Sequence, residues 1–156
     1  YYTCYSEIGS ETEKWNPQTR ETADHSLPYL LALALIDGHV GAESFSETRM
    51  RDPAMRELMR RITIAENPDY TREYPAMLVT RIEVIAKDGR RFAETASHAK
   101  GHAKNPMSEA EIELKFTRMT EQRLSAGRRA ALLQAVREID RCADVATIID
   151  CLCGAS

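Results

Sequence analysis

The stretch Met77-Leu78-Val79-Thr80-Arg81-Ile82-Glu83-Val84-Ile85-Ala86-Lys87-Asp88-Gly89-Arg90-Arg91-Phe92-Ala93-Glu94-Thr95 decides the fold class. Met77, Val79, Arg81, Glu83 and Ile85 share one phase of a two-residue alternation, while Leu78, Thr80, Ile82, Val84 and Ala86 share the other. A period of two belongs to a strand, and the second set makes its more apolar face. Lys87-Asp88-Gly89-Arg90 carries the residues of a tight turn, so Arg91 to Thr95 returns antiparallel as the second arm of a hairpin.

Outward from the hairpin the period changes to that of helices. Upstream, Leu27, Leu30, Leu31, Ala34 and Leu35 recur at helical spacing with apolar residues on most faces, which predicts a helix buried nearly all round. Asp24 or Ser26 can cap it, Pro28 suits its first turn, and Asp37-Gly38 ends it. A new unit opens at Phe45-Ser46. Asp52-Pro53 then starts a second helix with a Met55, Leu58, Met59 and Ile62 stripe, and Arg56, Arg60 and Arg61 opposite. Ile62-Thr63-Ile64 reads as a short strand broken by Asn67-Pro68, and Tyr74-Pro75 restarts the chain. Tyr1, Tyr2, Tyr5 and Ile8 ahead of Gly9-Ser10 read as another strand, and Glu11 to Thr22 as a polar loop.

Downstream the pattern is all helix. Ser108 and Glu111 form a capping box ahead of an Ile112, Phe116 and Met119 stripe. A helix over about Ala126 to Arg141 turns Leu132, Leu133, Val136 and Ile139 inward, and a short one runs from Val145 to Leu152. The class is therefore α+β: a mixed α/β domain with an antiparallel hairpin over residues 1–105, then helices over 106–156.

The 156 residues carry 21 Lys+Arg against 24 Asp+Glu, a near-balance without the basic footprint of a nucleic-acid binder. The longest apolar run, Leu30 to Ile36, is far short of a membrane span, and no basic start or h-region suggests a signal peptide. The chain begins at Tyr1 without an initiator Met and is read as a fragment of a longer protein. Cys4, Cys142, Cys151 and Cys153 lack the spacing of a zinc or iron–sulfur site and read as free thiols of a cytoplasmic protein. A Cys151–Cys153 redox pair is the minor alternative.

Two polar clusters can carry chemistry. In the first, Lys14 and Arg20 lie close in sequence to a helix N-terminus, whose free N–H groups and dipole suit an anion. Arg grips a carboxylate through paired hydrogen bonds, and His25 is available for proton transfer near neutral pH. The bland reading has Asp24, His25 and Ser26 capping the helix, with Arg20 paired to Glu21 or Asp24. In the second cluster, His98, Lys100, His102 and Lys104 either bind an anion or orient a neighbouring domain. There the bland reading is a solvated loop shaped by Gly101 and Pro106.

The segment Glu13-Lys14-Trp15-Asn16-Pro17-Gln18-Thr19-Arg20-Glu21-Thr22-Ala23-Asp24-His25-Ser26-Leu27-Pro28-Tyr29, continuing through Ala34 to Gly38, resembles the second half of the MmgE/PrpD family. So does Gly101-His102-Ala103-Lys104-Asn105-Pro106-Met107-Ser108, followed by Glu111-Ile112-Glu113 and Lys115-Phe116. Ala103 departs from the Pro that more often follows the Gly-His there, which relaxes the loop. The family includes 2-methylcitrate dehydratase, cis-aconitate decarboxylase and iminodisuccinate epimerase. The resemblance implies a cofactor-free hydro-lyase, without a metal, that dehydrates 2-methylcitrate or a related tricarboxylate. It also implies that residues 1–105 are most of a lid-type domain whose start is missing, and that 106–156 return to an all-helical domain otherwise absent. The substrate would sit between those domains.

His25 is then the candidate catalytic residue, and Lys14, Arg20, His25, His102 and Lys104 bind substrate or position the lid. The implied partners are a small polycarboxylate, the missing N-terminal helical domain and a second copy in a homodimer. Neither nucleic acid nor membrane is among them, and the implied compartment is the cytoplasm, or the mitochondrial matrix in a eukaryote. Alternatives are a decarboxylase or epimerase of the same family, or a stand-alone, non-catalytic association module. Alone, the fragment is expected to be inactive.

Overall fold

The computed structural model describes residues 8–153, without the side chain of Cys153. The strand expected over residues 1–8 lies almost wholly outside that range. The chain divides into two compact units, one ending at Pro106 and the other starting at Met107. The described residues hold eight α-helices and one two-stranded antiparallel sheet, an α+β content.

In the first unit, the segment expected as a polar loop folds into a 3-10 turn, Thr12–Trp15, and helix α1, Arg20–Asp24. A nearby polar group ties each in place. The Trp15 indole N–H donates to the Gly9 carbonyl, and the Thr19 hydroxyl accepts from the Thr22 N–H. Helix α2, Leu27–Asp37, is capped by Ser26, whose hydroxyl accepts from the Tyr29 N–H. It stops at Gly38, which takes φ 71°, a left-handed conformation that glycine adopts without a Cβ clash.

Pro28, Tyr29, Ala32 and Leu33 of α2 are buried, but Leu35 and Ile36 are 46% and 43% exposed. The helix is therefore covered on one side, not all round. Its inner face meets α4, Pro53–Met59, through Met55 and Met59, with Ala23 and Met50 closing the core. Leu30, Phe45, Leu58 and Ile62 pack around this cluster. Complete burial of a side chain the size of Leu33 or Met55 contributes about 1.5–3 kcal/mol.

Polar ties fix the geometry. The buried Tyr29 hydroxyl donates to the Ser44 carbonyl at 2.6 Å, next to a 3-10 turn at Ala42–Phe45 and short helix α3, Glu47–Met50. Arg49 bridges Asp37 at the end of α2, at 2.6 Å, and Asp52, the cap of α4.

Ile62-Thr63-Ile64 has no regular secondary structure and pairs with no strand among the described residues, so it is not the strand its composition suggests. Asn67 caps a short helix the sequence reading lacked, α5, Pro68–Glu73. Strand β1, Thr80–Ile85, pairs with β2, Arg91–Ala96, in the register Ile82 with Glu94 and Val84 with Phe92. Gly89 turns the hairpin at φ 85°, and Ala86 and Arg90 close it through a 2.9 Å backbone bond. Ile82 and Phe92 remain 38% and 53% exposed.

The second unit contains α6, Glu109–Thr120, α7, Ala126–Arg137, and α8, Ala146–Cys153. Ser108 and Glu111 complete the capping box of α6. Its core is Leu124, Leu132 and Ile148, with Phe116, Ala135, Cys142 and Cys151 at the rim. Val136 and Ile139 do not face in; they are 49% and 52% exposed. For Ile139 the cause is local: α7 ends at Arg137 and a tighter 3-10 turn, Ile139–Arg141, rotates that side chain off the core-facing stripe. Val136, by contrast, is exposed within the last turn of α7 itself. Ile112 and Met119 of α6 are likewise exposed, leaving Phe116 as that helix's contribution to the core. No described helix is long and apolar enough to cross a membrane.

Candidate functional site

Lys14, Asp24, His25 and Ser26 come together where the 3-10 turn, α1 and α2 meet. The Ser26 hydroxyl is buried and donates to the Lys14 carbonyl while capping α2, so one side chain sets the spacing of both elements. Lys14 is 9% exposed, and its ammonium reaches Glu11 at 3.8 Å and Glu13 at 3.7 Å. Ion pairs that long leave an ammonium only loosely held.

His25 follows α1 and stays accessible. Its Nδ1–H is shared between the Asp24 carboxylate at 2.5 Å and the Glu21 carbonyl at 3.2 Å. Both partners are acceptors, which fixes the proton on Nδ1 and leaves the Nε2 lone pair free to take a proton. The Asp24 hydrogen bond, the Glu21 carbonyl and the Asp24 charge hold its pKa above the ordinary histidine value, against burial and the charge of Lys14. Asp24 thus orients His25 and does not cap α2. The adjacent Asp-His pair was the sequence signal for it. Arg20 lies over the Phe45 ring, 5.9 Å from its centroid, and pairs with neither Glu21 nor Asp24 among the described residues.

His102 and Lys104 belong to a second cluster, in the loop after β2. Gly101 takes φ 96°, and Gly101 and Asn105 close the loop through a 2.8 Å backbone bond. The Asn105 amide donates to the His98 carbonyl at 3.0 Å. His102 Nδ1 accepts from the Lys104 backbone N–H at 3.1 Å, so a neutral His102 carries its proton on Nε2. The two histidines therefore offer opposite chemistry: His25 presents a base and His102 a donor.

The sequence reading placed His98 in this cluster but not among its five site residues; its ring lies 4.8 Å from that of His102, tilted by 40°. His98 Nε2 is buried without a hydrogen-bond partner among the described residues. Removal from water, then the charges of His102 and Lys104, push its pKa below the ordinary value. None of the five candidate residues lines the open groove of about 580 Å³ formed by Arg49, Arg51, Asp52 and their neighbours. Among the described residues no three His, Cys, Asp or Glu side chains are grouped to hold a metal ion.

A family model described as the MmgE/PrpD C-terminal domain matches residues 2–141, both clusters included. The chain belongs to the MmgE/PrpD family. Among its relatives, the cis-aconitate decarboxylase of Homo sapiens is 28% identical over 140 residues, covering 90% of this chain and 29% of that protein. The cis-aconitate decarboxylase of Mus musculus is 26% identical, covering 90% and 28%. A 2-methylcitrate dehydratase-like protein oryR of Aspergillus oryzae is 26% identical over 120 residues, covering 72% and 24%. This MmgE/PrpD chain spans less than a third of the length of these curated relatives.

Proposed function

We propose that this chain is the C-terminal part of a lyase that acts on a citrate-like tricarboxylate. The observation that carries the reading is the family match over residues 2–141, which encloses the Asp24–His25 pair. On this reading residues 1–105 are most of a lid-type domain, and residues 106–156 complete a helical domain formed with an N-terminal part of the same polypeptide. The parent enzyme is a cytoplasmic homodimer, and the substrate is held between its domains.

The chemistry follows from the groups present. Eliminating water from a hydroxy tricarboxylate requires a base beside a carboxylate-activated C–H, donors for the developing negative charge, and cations for the remaining carboxylates. His25 Nε2 supplies a base whose tautomer Asp24 fixes. His102 Nε2–H and the Lys104 ammonium supply donors and charge, and Arg20 and Lys14 supply cations near His25. Their role is to bind the acid or to hold the lid over it. The reaction is dehydration of 2-methylcitrate or a close relative.

A second reading, decarboxylation of an unsaturated tricarboxylate, is favoured by the two cis-aconitate decarboxylases aligned over 90% of the chain. One assay separates the two. The full-length enzyme is incubated with 2-methylcitrate, citrate and cis-aconitate, and formation of unsaturated acid is followed by absorbance beside release of carbon dioxide. Unsaturated acid from the first two substrates supports the hydro-lyase. Carbon dioxide from cis-aconitate alone overturns it in favour of the decarboxylase, and turnover of none overturns both. The 156-residue chain alone is expected to turn over none.

A further inference from the structure

We propose that Cys142 and Cys151 form an oxidisable dithiol, a modification site whose disulfide fastens α8 to the turn that follows α7. Both cysteines are free and half-buried, and both pack against the same core of Leu124, Leu132 and Ile148. Cys142 leaves the 3-10 turn and aims its thiol at the start of α8. The S–H donates to the Asp144 carbonyl at 3.1 Å, and the sulfur lies 3.6 Å from the Thr147 hydroxyl. Thr147 and Cys151 are four residues apart on α8, hence on one face with Cβ atoms about 6 Å apart. Cys151 therefore follows the residue that Cys142 touches by one helical turn, and both cysteines pack on the same apolar core.

A disulfide needs its two Cα atoms within roughly 7 Å. The proposed bond draws the last turn of α8 toward the 3-10 turn over the core that Ile148 also faces. The core gives a reason for the bond to matter: among the described residues three buried side chains form it, and a cross-link limits what α8 can sample when it opens.

The oxidant is a small disulfide such as glutathione disulfide. The thiolate of one cysteine attacks a glutathione sulfur, forming a mixed disulfide and expelling one glutathione thiolate. The second thiolate then attacks the protein sulfur of that mixed disulfide, and the other glutathione leaves. Two protein thiols and one glutathione disulfide become one protein disulfide and two glutathione thiols. Two electrons pass to glutathione, with the two thiol protons.

The test uses the 156-residue chain, oxidised with glutathione disulfide at about pH 8, where thiolates are populated. Free thiols are then blocked and the chain is cut before Asp residues, which separates fragment 140–143 from fragment 150–156. The expected product is those two fragments joined, about 2 Da lighter than the reduced pair. It should persist in Cys153→Ser, vanish in Cys151→Ser and reverse with dithiothreitol. Amide exchange across residues 146–151 should slow by about tenfold on oxidation. In Cys142→Ser that slowing should disappear while the reduced-state exchange stays unchanged, which separates loss of the bond from loss of the fold. A bond confined to Cys151 and Cys153, a link between chains, a glutathione adduct that does not resolve, no oxidation, or a bond without slower exchange would each overturn the proposal.

Discussion

The first unit is built around a helix that disappears into its surroundings on one side; the second is built around three side chains. Tyr29, Ala32, Leu33 and Met55 have no exposed surface, and the polar ties of Ser26, Tyr29 and Arg49 lock their elements in place. Leu124, Leu132 and Ile148 keep 5–9% exposure, and the most extensive polar tie beside them, Arg137 to Glu109 and Glu113, lies on the surface. Cohesion in the first unit comes from apolar burial backed by buried hydrogen bonds. In the second it comes from a thin core and local helix formation, with Phe116, Ala135 and two cysteines at the rim.

The largest expected effect is on the two cores. Leu33→Ala should cost about 3–5 kcal/mol, because its closed surroundings cannot collapse into the cavity. Leu132→Ala should cost about 2 kcal/mol, because rim side chains can close in. Urea unfolding followed by fluorescence of Trp15, the single Trp of the sequence, reads the first, and amide exchange of α7 reads the second. Equal losses would erase the contrast.

Next is Tyr29→Phe, which strands the Ser44 carbonyl in the first core. A loss of about 1–2 kcal/mol is expected in the same urea titration, and a neutral result would mean that the buried ties contribute nothing. Caps sharpen the comparison further. Ser26→Ala removes both a cap and the bond to the Lys14 carbonyl, so about 1–2 kcal/mol should go. Ser108→Ala removes an exposed cap and should cost about 0.5–1 kcal/mol.

The smallest effects are electrostatic, and they oppose each other within the first unit. His25 should titrate above the ordinary histidine value in an NMR pH series, and Asp24→Asn should bring it down. Its raised pKa gives a stabilisation fully present below the unfolded value of about 6.5 and lost as pH rises through the folded value. His98 should titrate below the ordinary value. Between that lowered value and about 6.5 the unfolded chain holds the proton more tightly, so this contribution falls as pH falls through the window. Two histidines titrating together would remove the distinction between the clusters.

Much of the fold was legible because its signals are local. The alternation at Met77–Ala86 with Asp88-Gly89 placed the hairpin, although the paired ladder begins only at Thr80. Ser26, Gly38, Asp52 and Ser108 marked helix ends through groups within a few residues of themselves. The misreadings share a cause. Ile62-Thr63-Ile64 has strand composition, but a strand needs a partner that composition does not supply. Ile139 continues an apolar stripe on paper, but the helix carrying it stops at Arg137. At the candidate site, residue types and order were legible in both clusters. Less so was the neighbour of each: Arg20 was offered Glu21 or Asp24 and took Phe45, and His98 gained its importance from a ring four positions away.

By itself, the sequence determined the α+β content, the hairpin and its turn, the starts of the five longest helices, and the family, because each is written in spacing and short-range chemistry. Tertiary structure alone decided which face of α2 is covered, that Lys14 is buried with its carbonyl bound by Ser26, and that His25 and His102 present opposite ends of the imidazole ring. The physical reason is that burial and tautomer depend on what approaches a side chain from elsewhere in the fold, and the order of residues does not record that approach.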